Sequence, residues 1–254
     1  MNPVEKRLNE LYAAYNHLDF IKNDPISVPH QFSLKQDIEI AGFFAAILAW
    51  GNRKSIINSA QKIITAMDNS PYEFITQHQP KDLISMQDIK HRTFNSTDLL
   101  YCIEVLKLHY QKHNSLENAF FTANEKFDAY NALSNFNSYF FSLSDAPLRT
   151  QKHIASPKKN SACKRLNMYL RWMVRKDKSG VDFGIWNKIS PSQLMMPLDV
   201  HVVNSAAELL QLINIKPNWK GVCEVTQFVA NFDPNDPVKY DYALFGYQIE
   251  KKMI

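Results

Sequence analysis

Glycine is scarce, with 6 in 254 residues, and neither a GxxxxGK nor a GxGxxG pattern occurs. The phosphate-cradling loops of nucleotide-binding folds, which need glycine at fixed offsets, are therefore excluded. Cysteine is scarcer still. Cys102, Cys163 and Cys223 are too scattered for a zinc site, a four-cysteine iron–sulfur cluster or a disulfide framework, and a reducing cytoplasm fits them. Long apolar runs are missing as well. The longest, Ile38 to Trp50, carries Glu39 and falls short of the ~20 residues that a membrane helix needs, so it reads as a buried helix. Met1 to Tyr15 is charged and amphipathic, with no apolar core of an export signal. Neither an alternating strand pattern nor a fixed-period repeat is present.

Apolar residues recur at helical spacing instead. Leu8, Leu11, Tyr12 and Tyr15 form one stripe; Ile56, Ile57, Ala60, Ile63, Ile64 and Met67 form another; Leu99, Leu100, Ile103 and Leu106 a third. The spacing predicts an all-α fold with helices over 3–16, 36–50, 53–67, 97–113, 115–126, 130–143, 161–175, 200–212, 219–231 and 238–250. Gly51 is placed to end the second of these, Ser96-Thr97-Asp98 to cap the fourth, and Asp233 to Pro237 to form a rigid turn before the last. The stretch 144–160, with Pro147 and Pro157, reads as a connector inside a single bilobal domain spanning 1–254.

The net charge of +4 is mild, but its distribution is uneven. Arg149, Lys152, Lys158, Lys159, Lys164, Arg165, Arg171, Arg175, Lys176 and Lys178 face one acid, Asp177, between 149 and 178. Concentrated positive charge is the footprint of a polyanion partner, and equally of a solvated basic loop. On a helix from Ser161 to Arg175, Leu166, Tyr169, Leu170 and Met173 share one side. Lys164, Met168, Arg171 and Arg175 share the other, with Arg165 and Trp172 on a flank. Further on, Pro197-Leu198-Asp199-Val200-His201 opens another helix. Asp199 is placed as its N-cap, and Asp199 with His201 lacks the third ligand that a metal would require.

These pieces together resemble the helix-hairpin-helix DNA glycosylase superfamily. Asn160-Ser161-Ala162-Cys163-Lys164 stands at the hairpin and catalytic-lysine position, and Pro197 to His201 at the position of the family's aspartate motif. Ile38 to Trp50, followed by Gly51-Asn52-Arg53, matches a buried helix ending in a DNA-contacting turn. The sequence departs from the family in two places: the hairpin has no Gly-x-Gly, and an insertion, Lys176 to Met196, lengthens the run from Lys164 to Asp199. The archaeal 8-oxoguanine glycosylase branch shares both traits, and Tyr240-Asp241-Tyr242-Ala243-Leu244-Phe245 is similar to its last helix. Lys164 to Arg175 is also similar to the signature of a sporadic bacterial family bearing a domain of unknown function, number 2400.

The resemblance implies a two-lobed helical fold with a cleft between the lobes, no cofactor and no metal. It further implies a damaged DNA duplex as partner, with excision of a damaged purine such as 8-oxoguanine. Asp199 would stabilise the cation-like sugar, and Lys164, once neutral, would attack it and form the Schiff base of an AP lyase. A free lysine titrates near ~10.4, so this needs desolvation or cationic neighbours such as Arg165 and Arg171. Asn52, Arg53, Lys158, Lys159, Arg165, Arg171 and Arg175 would contact DNA, while Met168, Trp172, Asp241 and Phe245 would line the base pocket. Trp186 would pin the insertion to the core. Two other readings stay open: a non-catalytic nucleic-acid-binding module, and a helical adaptor whose basic stretch meets an acidic protein.

Overall fold

The structure, a computed structural model, describes residues 2–121 and 126–253. It is all-helical, and among the described residues no strand forms. In chain order the helices are α1 (Pro3–Tyr15), α2 (Leu18–Ile21), α3 (Lys35–Ile47), α4 (Arg53–Ala66), α5 (Pro71–Gln77) and α6 (Ser96–Tyr110). They continue with α7 (Ala129–Phe140), α8 (Lys164–Val174), α9 (Val200–Leu209), α10 (Trp219–Ala230) and α11 (Tyr240–Met253).

Several boundaries differ from expectation for local reasons. The helix expected over 115–126 is a short 3-10 turn, Leu116–Phe120, and residues 122–125 lie outside the described residues. α8 starts at Lys164 rather than Ser161, because Cys163 takes the left-handed conformation (φ 49°) and ends any helical run before it. Asn95, not Ser96, caps α6: its backbone N–H donates to Asp98 Oδ2 (2.9 Å) in a reciprocal capping box. α3 stops at Ile47, short of Gly51, which makes the following turn with φ +99°. α5 was not expected at all; with Pro71 in its first turn and seven residues, it offers no sustained apolar stripe.

The chain divides into two compact units. One comprises Ile21–Lys126 and Ala132–Ala155. Its core is built on α3, where every side chain from Ile38 to Ile47 is buried. Phe43 packs on Phe44, Phe136 and Phe140, and Phe120 stacks on Phe136 at 4.2 Å. Glu39 is the charged exception in this buried run, and its carboxylate is satisfied. It accepts from Tyr110 Oη (2.8 Å), Ser115 Oγ (2.5 Å) and the Leu116 backbone N–H (3.0 Å). A buried carboxylate without such donors would cost several kcal/mol.

The other unit comprises Met1–Phe20, Phe127–Asn131 and Ser156–Ile254. Leu8 and Leu11 of α1, Val202 and Ala206 of α9, Val222, Val225 and Val229 of α10, and Ala243 and Leu244 of α11 form its core with Met196 and Leu198. At about 25 cal/mol per Å² of apolar surface, each large side chain buried there contributes roughly 1.5–3 kcal/mol. This packing fixes the starts of α8, α9 and α10, where the polar residues of interest lie.

Candidate functional site: a lysine–aspartate pair at two helix starts

α8 is preceded by a hairpin, 157–163, whose shape needs two left-handed residues. Asn160 (φ 55°) and Cys163 (φ 49°) supply them without glycine. Asn tolerates this region well, whereas for Cys163 it costs on the order of 1 kcal/mol. The bend is held from inside: Asn167 Nδ2 donates to the Ala162 carbonyl at 3.0 Å, and Ser161 Oγ accepts from the Cys163 N–H at 3.1 Å. Cys163 is buried, and burial pushes its thiol up to about 12, so it takes no part as a thiolate.

The hairpin delivers Lys164 to the first position of α8. Its Nζ lies 3.8 Å from Asp199 Oδ2, with the two side chains 29% and 35% exposed. Asp199 is also the N-cap of α9, its Oδ1 accepting from His201 N–H (2.9 Å) and Val202 N–H (3.0 Å). The capping role and the pairing with Lys164 thus use different oxygens of one carboxylate. The insertion between the two residues does not separate them. α10 bridges them: Asn218, its N-cap, pairs in an isolated bridge with Ser161 of the hairpin. From the same helix Thr226 Oγ1 accepts from the Met196 N–H at 3.0 Å, two residues before Leu198.

Asp241 of α11 belongs to the same electrostatic neighbourhood. It is buried and accepts a short hydrogen bond from Arg171 Nη1. Burial raises its carboxyl to about 6; Arg171 and Lys164 oppose the rise, while Asp199 and Asp182 add to it. Phe245, one turn on, is half-buried and packs edge-on against Phe20 at 5.8 Å.

The remaining expectations for α8 need correction. Arg171 and Arg175 are 4% and 1% exposed, and neither presents a charge to solvent. Arg171 pairs with Asp182 (3.3 Å) and Asp241; Arg175 pairs with Asp177 (2.7 Å), Asp182 (3.0 Å) and Asp236 (2.8 Å) and donates to Tyr12 Oη. Burial pulls the Arg175 guanidinium down, but Asp182, Asp236, Tyr12 and Asp177 overcome that and hold it charged. The helical wheel misplaced these residues because it cannot see the insertion. Asp177 and Asp182 fold back over α8, where Phe183 N–H and Trp186 N–H donate to the Trp172 and Met173 carbonyls (2.8 and 2.9 Å). Met168 and Trp172 are likewise buried, Trp172 completely, so Trp172 offers no stacking face. Trp186 is buried edge-on against Tyr169 at 5.4 Å, pinning the insertion as expected.

Lys158 and Lys159 are exposed at the hairpin tip. Arg165 is half-buried, and burial lowers its guanidinium to about 10. In the other unit, Asn52 is exposed and caps α4 through the Ser55 N–H (3.3 Å), with half-buried Arg53 beside it. Arg149 of the basic stretch is spent internally there, its guanidinium 2.6 Å from buried Asp98. Sequence reasoning missed Asp182, the acid shared by both buried arginines; a lone aspartate between Val181 and Phe183 was its signal. It missed Asn218 and Thr226, which nothing in the sequence distinguishes from ordinary helix residues.

Among the described residues, no group of three or more His, Cys, Asp or Glu side chains is placed to hold a metal ion. No helix among them is long and apolar enough to cross a membrane. Fold and site define an all-helical protein with a semi-exposed lysine–aspartate pair at two helix starts. The chain belongs to the family described as "Protein of unknown function (DUF2400)", whose model matches residues 24–250. No curated protein and no solved structure matches it.

Proposed function

We propose that this protein is a DNA glycosylase of the helix-hairpin-helix type, with AP-lyase activity through Lys164, acting on a damaged purine. One observation carries the reading: Lys164 and Asp199, far apart in sequence, meet at 3.8 Å at the starts of two helices, half-open to solvent. A structural ion pair has no need of such a place, and exposed pairs add only about 0–1 kcal/mol.

In this chemistry the target nucleotide leaves the duplex and its glycosidic bond weakens through a cation-like sugar. Asp199 Oδ2 stabilises that charge while Oδ1 stays fixed by the α9 cap. Lys164 gives one proton to the departing base, and its amine bonds to C1′ as the C1′–N bond breaks. Opening of the sugar leaves an imine on Nζ, from which elimination cuts the 3′ phosphate. Buried Asp241, bonded to Arg171, acts electrostatically on both Lys164 and Asp199. Lys158 and Lys159 at the hairpin tip would meet phosphates; the buried Arg171 and Arg175 have no such role.

The test is an excision screen over duplexes carrying single damaged purines, run with wild type, Lys164→Gln and Asp199→Asn. Base release by wild type that both variants abolish is expected. Salt-sensitive DNA binding without base release from any duplex would leave a non-catalytic binding module. Absence of DNA binding would leave a protein-binding adaptor.

A further inference from the structure

We propose that the start of α10 and the loop before it form a second contact strip for the DNA backbone, continuous with the hairpin; this rests on the glycosylase reading above. The isolated bridge between Ser161 and Asn218 brings two segments side by side. The hairpin segment 156–165 carries Lys158, Lys159, Lys164 and Arg165, and the segment 211–220 carries Lys216 and Lys220; neither contains an Asp or Glu. Lys158, Lys159, Lys216 and Lys220 are all exposed. Acids bordering the strip include Asp199, 3.8 Å from Lys164, Glu224, 3.6 Å from Lys220 one turn on, and Asp128, which acts electrostatically on nearby Cys223. An exposed Lys–Glu pair of this kind is weak and yields to a phosphate.

The strip is built rather than incidental. Gly221 lets the chain fold back so tightly that a Cβ there would sit 2.1 Å from the Lys216 carbonyl and 3.2 Å from Leu198. That closeness brings Lys216 over the first turn of α10 and beside the segment that bears Asp199. Next to the lysines, half-buried Trp219 meets Tyr130, itself 38% exposed, with ring centres 5.7 Å apart. Aromatic side chains beside exposed cations suit a sugar–phosphate chain, whose deoxyriboses pack on the rings while its phosphates meet the amines. The α10 core face is carried by Val222, Val225 and Val229, with Trp219 packed at the edge of that core and only half covered by it.

The experiment measures how the affinity for a duplex bearing a tetrahydrofuran abasic analogue changes with salt. It compares wild type, Lys216→Gln/Lys220→Gln and a charge-matched control, Lys6→Gln/Lys251→Gln, whose lysines are exposed on α1 and α11. Each lost phosphate contact flattens the log–log slope by about 0.9, so the strip variant should lose about 1.8 and the control nothing. An unchanged slope in the strip variant, with wild-type DNA binding intact, overturns the strip and leaves the Lys164–Asp199 reading standing. An equal loss in the control also overturns it, since net charge alone then explains the effect. A wild type with no salt-sensitive DNA binding overturns both.

Discussion

Replacing Asp199 by asparagine and, separately, by alanine divides the two jobs of its carboxylate. Oδ1 caps α9 through two backbone N–H groups, and Oδ2 faces Lys164. Asparagine keeps an oxygen for the cap and ranks with aspartate as an N-cap, so Asp199→Asn should change stability by less than about 0.5 kcal/mol. Alanine leaves both N–H groups to water and should cost about 1 kcal/mol. For a chain of this size that is a fall in Tm of about 2–4 °C. Both variants remove the negative charge facing Lys164, so both should lose about 100-fold or more in base excision. Thermal unfolding and single-turnover excision on one set of preparations read both effects. An Asp199→Asn protein that melts with the alanine variant refutes the assignment of Oδ1 to the cap. One that excises like wild type refutes the catalytic assignment of Oδ2.

Arg175→Met should destabilise by about 3–5 kcal/mol, because it strands Asp177, Asp182 and Asp236 around an uncharged side chain; an unchanged urea midpoint would contradict the buried network. Asp241, raised to about 6 from 3.8, keeps in the folded state a proton that the unfolded chain has already lost between those values. Its contribution is therefore full below about pH 4 and lost as pH rises through 6. That is a loss of about 3 kcal/mol at 1.36 kcal/mol per pH unit. The stability difference between wild type and Asp241→Asn should shift by about 2 kcal/mol of that between pH 4 and 6.5, and a flat difference would refute the burial of its charge. Gly221→Ala, which helix propensity alone would make stabilising by about 1 kcal/mol, should instead destabilise by about 1–3 kcal/mol, because the new methyl meets the Lys216 carbonyl. A higher Tm for that variant would show that the 211–220 loop yields freely.

The helical class was legible because apolar residues such as Ile56, Ala60, Ile63 and Ile64 recur on one face and all four are buried. Lys164 and Asp199 were singled out together by the resemblance to a known family rather than by spacing, and the structure brings them together. The character of Arg171 and Arg175 was not legible. A helical wheel gives an angle, and whether that angle faces water depends on what the rest of the chain lays against it. Here the insertion lays Asp177 and Asp182 there. The turn before α8 was not legible for a related reason: its two left-handed residues are Asn160 and Cys163, and no glycine marks them. Asn218 and Thr226 escaped notice because their role rests on partners distant in sequence, Ser161 and Met196.

The most direct measurement is borohydride trapping on a duplex with a natural abasic site, followed by mapping of the modified peptide. The proposed chemistry predicts a covalent adduct on Lys164, formed by wild type and absent from Lys164→Gln. An adduct that persists in Lys164→Gln, or one mapped to Lys158 or Lys159, would contradict it.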